Sequence, residues 1–189
     1  MKTENIERYL NSFGKYIVQQ SRTNLTKGKK NLTKDLYNSI KFDIESNSDS
    51  FTVNFYMADY GTFVDKGVSG TKQRRSFTNY KSQTISSPYR FGTGSSKVGK
   101  AKGGMSGIMA KWVKMRGFQW RDKETGRFMS HKSMGYIIAR SIYSKGIKGI
   151  SFFQRPMELG LKKFGKELLR AVKEDVMSAL KEVDNKKEN

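Results

Sequence analysis

The sequence predicts an α+β fold in which a small antiparallel sheet packs against an N-terminal helix and a long C-terminal helix, with a long basic loop inserted between them. Three observations carry this. Apolar residues recur at helical spacing near the start, two runs of strict alternation follow, and a long helical stripe occupies the end.

The first helix is predicted from about Ile6 to Leu25, where Ile6, Tyr9, Leu10, Phe13, Ile17 and Ser21 fall on one face. The polar stretch Thr26–Asn31 ends it, and a short helical turn is expected around Leu32–Tyr37 with Asn31 or Thr33 as N-cap. From Ser39 to Glu45 the pattern alternates, with Ile40, Phe42 and Ile44 on one side. It alternates again from Phe51 to Tyr56 after the turn cluster Asn47-Ser48-Asp49. Together these runs read as an antiparallel hairpin. Residues 1–67 thus form the N-terminal part of a single domain.

Val68–Met105 differs in kind: it is rich in Gly, Ser, Lys and Arg and contains no Asp or Glu. Such a stretch cannot bury a core of its own, so it reads as an insertion loop over 68–105. Residues 106–189 complete the domain. A helix is predicted over Ser106–Met115, a second hairpin over Phe118–Met129 around the turn Lys123-Glu124-Thr125-Gly126, and a helix over Ser133–Tyr143 with Met134, Ile137, Ile138 and Ile142 as its apolar side. The final helix runs from Met157. Its stripe is Leu161, Phe164, Leu168, Val172, Val176, Ala179 and Val183, with the first half expected to be core and the end, Lys181–Asn189, polar.

With 189 residues the chain can support one core without staples, and it has no cysteine for a disulfide or a thiolate metal site. Met1–Gln20 is charged and polar throughout, and no segment is long and apolar enough to span a bilayer. The expectation is a soluble chain with no membrane partner. Its 37 Lys and Arg against 17 Asp and Glu leave a net charge of +20, a field that favours nucleic acid or an acidic protein surface and makes like subunits repel.

Motifs for chemistry are weak. Gly94-Ser95-Ser96-Lys97-Val98-Gly99-Lys100-Ala101 spells a phosphate loop except at its last position, where Ala101 cannot hold Mg²⁺. His131 is the single histidine and reads as a solvated loop residue, with no second His or Cys to share a metal. Asp59 and Asp65 are six apart and do not share a helix face, so a metal pair is not expected. No catalytic residue, cofactor or metal is predicted. The basic loop interleaves its cations with Phe77, Tyr80, Tyr89 and Phe91, a pattern suited either to nucleic acid or to a neighbouring subunit. Trp112, Trp120, Phe118 and Phe128 read as core or interface anchors.

The order of first helix, hairpin and then Tyr60-Gly61-Thr62-Phe63-Val64-Asp65-Lys66-Gly67 resembles the head–tail joining, or tail-completion, family of long-tailed bacteriophages. That family follows its hairpin with Tyr, a small residue, two variable residues, Val, an acidic residue and then Gly; Tyr60, Gly61, Val64, Asp65 and Gly67 match in order. Near its end the family has an aromatic residue, Arg or a similar residue, and Pro opening the last helix, as in Phe153, Arg155 and Pro156. Pro suits a first helical turn and Gly the end of a short helix. The matches span about half the chain. Two features depart from the family: Phe152 stands where Pro is usual, and the middle, Val68–Ile150, is larger.

The resemblance implies a non-enzymatic structural protein of the virion, assembled in the host cytoplasm, that forms a homo-oligomeric neck ring between portal and tail. Its partners would be the portal or another head-completion protein and tail proteins, with contact to packaged DNA. Tail terminator, head-completion ring and podovirus-type neck ring all remain open positions. Arg74, Arg75, Lys97, Lys100 and Lys102 are the candidates for contact with DNA or an acidic neighbour. Tyr60, Val64, Asp65, Gly67, Phe153 and Pro156 are the candidates for defining the fold. The alternative is a nucleic-acid-binding protein outside any virion that uses the basic loop.

Overall fold

A computed structural model describes residues 4–30, 32–47, 50–92 and 104–187, with side chains as far as Lys181. In chain order its elements are α1 (Glu4–Lys27), α2 (Asp35–Ser39), β1 (Lys41–Ser46), β2 (Phe51–Tyr56), α3 (Gly61–Lys66), β3 (Val68–Ser69), β4 (Ser76–Thr78) and β5 (Thr84–Ser86). There follow α4 (Gly104–Arg116), α5 (His131–Lys145), β6 (Gly146–Ile147) and α6 (Gln154–Lys187). The fold is mixed α and β, with a small antiparallel sheet and N-terminal and long C-terminal helices, as the sequence predicts. Contacts divide the chain into two compact units. The first comprises Met1–Asp65, Thr78–Ile85 and Ile150–Asn189; the second comprises Lys66–Phe77 and Ser86–Gly149.

In the first unit, α1 buries Ile6, Leu10, Gly14, Ile17, Val18, Ser21 and Leu25, the three-and-four spacing of one helical face. Glu4 and Glu7 in its first turn and Lys27 in its last oppose the helix dipole. The hairpin β1–β2 pairs Phe42 with Phe55 and Ile44 with Val53, the register that the alternation requires. Val18, Leu25, Leu36, Ile40 and Phe152 form the buried centre, and Phe42, Phe55, Val64 and Phe153 pack around it. Rings tie the layers together: Phe13 meets Phe55 and Phe164 edge-on, and Phe55 meets Phe153 at 5.5 Å. Each such pair adds about 0.5–1.5 kcal/mol beyond its buried area.

Two expectations for this unit need correction. No side-chain cap opens α2: the preceding residue is Lys34 in a left-handed conformation, not Asn31 or Thr33, and Asn31 lies outside the described residues. The stripe of α6 also has a different phase. Its buried positions are Pro156, Gly160, Ala171 and Asp175, with Phe164, Leu168 and Ala179 partly covered, whereas Leu161, Val172 and Val176 are exposed. The physical reason is Asp175, which accepts hydrogen bonds from the Ile6 N–H (3.0 Å) and Asn5 Nδ2 (2.7 Å). A carboxylate that satisfies orphan donors at the start of α1 sits inside, and the apolar residues beside it turn outward.

In the second unit, α4 packs on α5 through Val113 and Met134, both fully buried. A Cβ at Gly135 would lie 2.6 Å from the Ala110 nitrogen, so this crossing needs glycine. Ser130 caps α5, its hydroxyl accepting from the Ser133 N–H. His131 is therefore a half-buried residue in the first turn of a helix, not a loop residue. The expected second hairpin is reduced to the isolated bridge Arg121–Phe128 with a tight loop beyond it. Strands β3 and β6 pair antiparallel, Val68 opposite Ile147.

Candidate interface surfaces

The two segments that carry the phage resemblance meet in the first unit. The Ile150 N–H donates to the Val64 carbonyl (3.1 Å) and the Ser151 N–H to the Asp65 carbonyl (3.0 Å). The Asp65 carboxylate then accepts from the Phe153 N–H at 2.8 Å, 88 residues away, and from the Gln154 N–H at 3.4 Å. Asp65 is 3% exposed. The first turn of α6 has no acidic residue of its own, so Asp65 supplies the negative charge that the amino end of a helix favours. Pro156 is fully buried in that first turn, where its missing N–H leaves no orphan. In the second unit Gly67 ends α3 with φ +74°, and a Cβ there would lie 2.5 Å from the Gly149 nitrogen.

Tyr60 contributes differently from its expected packing role. Its ring is 44% exposed, and its carbonyl accepts from the Phe63 and Val64 N–H groups. Burial first, and then the negative charge of Asp35, push its hydroxyl above the ordinary tyrosine value. Phe152, noted in the sequence only as a departure from the family, is the largest fully buried side chain. No periodicity points to it because it precedes its helix.

The first part of the basic stretch is held by an unexpected device. The Thr71 and Lys72 N–H groups donate to the carbonyls of Tyr143 and Ser144 (3.0 Å each), and Arg75 Nε donates to the Lys145 carbonyl (2.8 Å). These are the last carbonyls of α5, which lack partners within the helix. A stretch with no core of its own is thus held by capping a helix whose carboxyl end favours cations. Arg75 is half-buried in this role, while Arg74 beside it is exposed. Lys97, Lys100 and Lys102, together with the phosphate-loop-like run ending at Ala101, lie outside the described residues.

Cations and aromatics combine more densely in the loop Phe118–Met129. Phe118, Trp120 and Phe128 are exposed, Phe128 at 60%. The Arg121 guanidinium lies 4.6 Å from the Phe128 ring centre, and Trp112 meets Phe118 edge-on at 5.3 Å. Asp122 shapes the loop: its carboxylate accepts from the Thr125 N–H (2.9 Å), the Thr125 hydroxyl (3.0 Å) and the Glu124 N–H (3.1 Å). Those bonds, the Thr125 N–H foremost, hold its pKa below the ordinary value although the group is solvent-exposed. Because the folded pKa is depressed, this contribution is present above the unfolded value of about 3.9 and is lost as pH falls through the lower folded value. In an NMR titration the Thr125 amide should therefore move below the usual Asp range. A midpoint at the ordinary Asp value would mean that the loop is not held in this way.

A third surface is the outer side of α6. Leu161, Leu169, Val172, Val176 and Leu180 are all exposed, Leu169 at 72%, and fall within about 100° of arc at helical spacing. Gly165 lies in the same arc with open space around it.

Chemistry for turnover is sparse among the described residues. No group of three or more His, Cys, Asp or Glu could hold a metal, and no helix is long and apolar enough to cross a membrane. A groove of about 390 Å³ runs between α1 and α6 beside Arg8, Tyr9, Ser12, Glu167, Arg170 and Glu174. Its hydroxyls are engaged: Ser12 donates to the Arg8 carbonyl and Tyr9 to the Phe164 carbonyl. Arg170 pairs with Glu174 at 3.0 Å. No family model, curated protein or solved structure matches the chain.

Proposed function

We propose that this chain is a structural, non-enzymatic subunit of a tailed-phage neck, forming a homo-oligomeric ring that joins the portal or another head-completion protein to tail proteins in the virion. The observation that carries this reading is the Asp65 carboxylate on the Phe153 N–H, which links the two family-like segments across 88 residues. It supports the reading by joining the two segments: one supplies the carboxylate at the start of the helix that the other opens.

The exposed apolar arc of α6 supports the ring. A chain with net charge +20 needs apolar or charge-complementary contact to associate with its own copies, and Leu161, Leu169, Val172, Val176 and Leu180 provide a strip for the former. The purified protein should form rings in negative-stain images and show a matching mass by light scattering. Because both side chains are exposed, Leu169→Asp with Val176→Asp should leave the circular dichroism unchanged and reduce the assembly to monomer. A wild-type monomer that captures neither portal nor tail proteins would count decisively against the neck reading.

The second reading, a nucleic-acid-binding protein outside any virion, is supported by the charge. The same purified chain separates the two, because that reading expects binding by a protein that stays monomeric.

A further inference from the structure

We propose that the second unit is a nucleic-acid-binding surface that grips the phosphate backbone, centred on the loop Phe118–Met129 and the outer face of α4 rather than on the stretch Val68–Met105. This does not depend on the neck reading.

Among the described residues, the second unit over 66–77 and 86–149 holds 15 Lys and Arg against Asp122 and Glu124, a net of +13. The other described residues hold 18 basic and 13 acidic residues, a net of +5. Basicity is thus not a general property of the chain but belongs to one folded unit. A field of that sign and density selects a polyanion.

Asp122 is occupied by the Thr125 and Glu124 donors, so one of the two carboxylates serves the loop's own backbone. Around it Arg121, Lys123 and Arg127 are exposed, and Lys111 and Lys114 are exposed on α4.

Phe118, Trp120 and Phe128 stand exposed among those cations, with Arg121 stacked over Phe128. Cations that neutralise phosphates, interleaved with faces on which bases can stack, are what a sequence-tolerant nucleic-acid surface requires. An acidic polypeptide would match the cations but offers no planar bases to stack on the rings. By contrast, Arg75 and Arg90 in the earlier basic stretch donate to the Lys145 and Thr71 carbonyls, so part of that charge serves the fold.

The test uses the full chain and fluorescence anisotropy with a labelled 30-base-pair duplex and a 30-nucleotide single strand of the same sequence. Binding should weaken roughly 10³-fold between 50 and 200 mM salt, the response to about six neutralised phosphates. Replacing Arg121, Lys123 and Arg127 together by Ser should lower the duplex salt slope by about 2.7, at roughly 0.9 per phosphate contact. Trp120→Ala should cost roughly 10-fold on the single strand and less on the duplex, because stacking needs an unpaired base face. A matched triple replacement in the first unit, Lys15, Lys166 and Lys173 to Ser, should move neither number much. Three results would overturn the proposal: no binding to either strand form, equal losses from the two triple variants, or polyglutamate competing as well as DNA at equal charge. Failure here leaves ring formation untouched, since no arm reads assembly.

Discussion

Phe152→Ala is expected to destabilise the first unit by about 3–5 kcal/mol, the range for removing a large aromatic from a closed core. Phe152 is 0% exposed and belongs to a buried cluster with Val18 and Leu25 of α1, Leu36 of α2, and Ile40 just before β1. The site borders several separate elements, so collapse around a truncated side chain would have to move all of them. Part of the cost is lost burial and part is the cavity left behind. The backbone there is also tied, since Asn24 Nδ2 donates to the Phe152 carbonyl at 3.4 Å. Urea unfolding followed by circular dichroism should show a lower midpoint with an unchanged slope. Phe152→Leu keeps most of the volume and should cost under about 1.5 kcal/mol. If Ala and Leu behave alike, the side chain is not filling the centre that the geometry gives it.

The contrast between Phe152 and its neighbours shows what sequence can carry. Periodicity exposes residues that repeat, which is why α1 and the β1–β2 register were legible. Residue chemistry exposes Pro156, because proline is restricted in where it can sit. Phe152 repeats with nothing and lies between a turn and a helix, so only packing reveals it. Asp175 is the opposite case. Inside a helical stripe an acid reads as a solvent-facing position, and the donor that draws it inward is the Ile6 N–H, 169 residues away. That long-range bond puts Asp175 on the covered face of α6, while Val172 and Val176 beside it lie outside. The basic stretch has no apolar pattern to mark structure. The bonds of Thr71, Lys72 and Arg75 to the end of α5 are of a kind that composition cannot show. The density of exposed rings and cations at Phe118–Met129 was visible residue by residue. Its significance required knowing that Phe118, Trp120 and Phe128 are not core and that Asp122 is already engaged.

Asp65→Ala should cost about 2–4 kcal/mol, and the comparison with Asp65→Asn identifies the cause. The substitution strands the Phe153 N–H, and partly the Gln154 N–H, at the buried amino end of a 34-residue helix. An orphaned buried donor costs about 1–3 kcal/mol and a lost N-cap about 0.5–2 kcal/mol, and the two overlap because they describe the same bond. The backbone bonds from Ile150 to Val64 and from Ser151 to Asp65 use carbonyls and survive the substitution, so the segments should stay adjacent while the first turn of α6 loosens. Asn keeps an acceptor oxygen but removes the charge, which leaves a loss of roughly 1 kcal/mol at the helix dipole. Unfolding midpoints should therefore rank wild type, Asn, Ala. Hydrogen exchange gives a local reading, with protection falling first at the Phe153 and Gln154 amides. It should fall next at Tyr80, whose N–H donates to Gln154 Oε1, because that contact hangs from the same turn. An Ala variant as stable as wild type, with those amides still protected, would show that α6 starts without Asp65. The link between the two segments would then be proximity without energetic consequence.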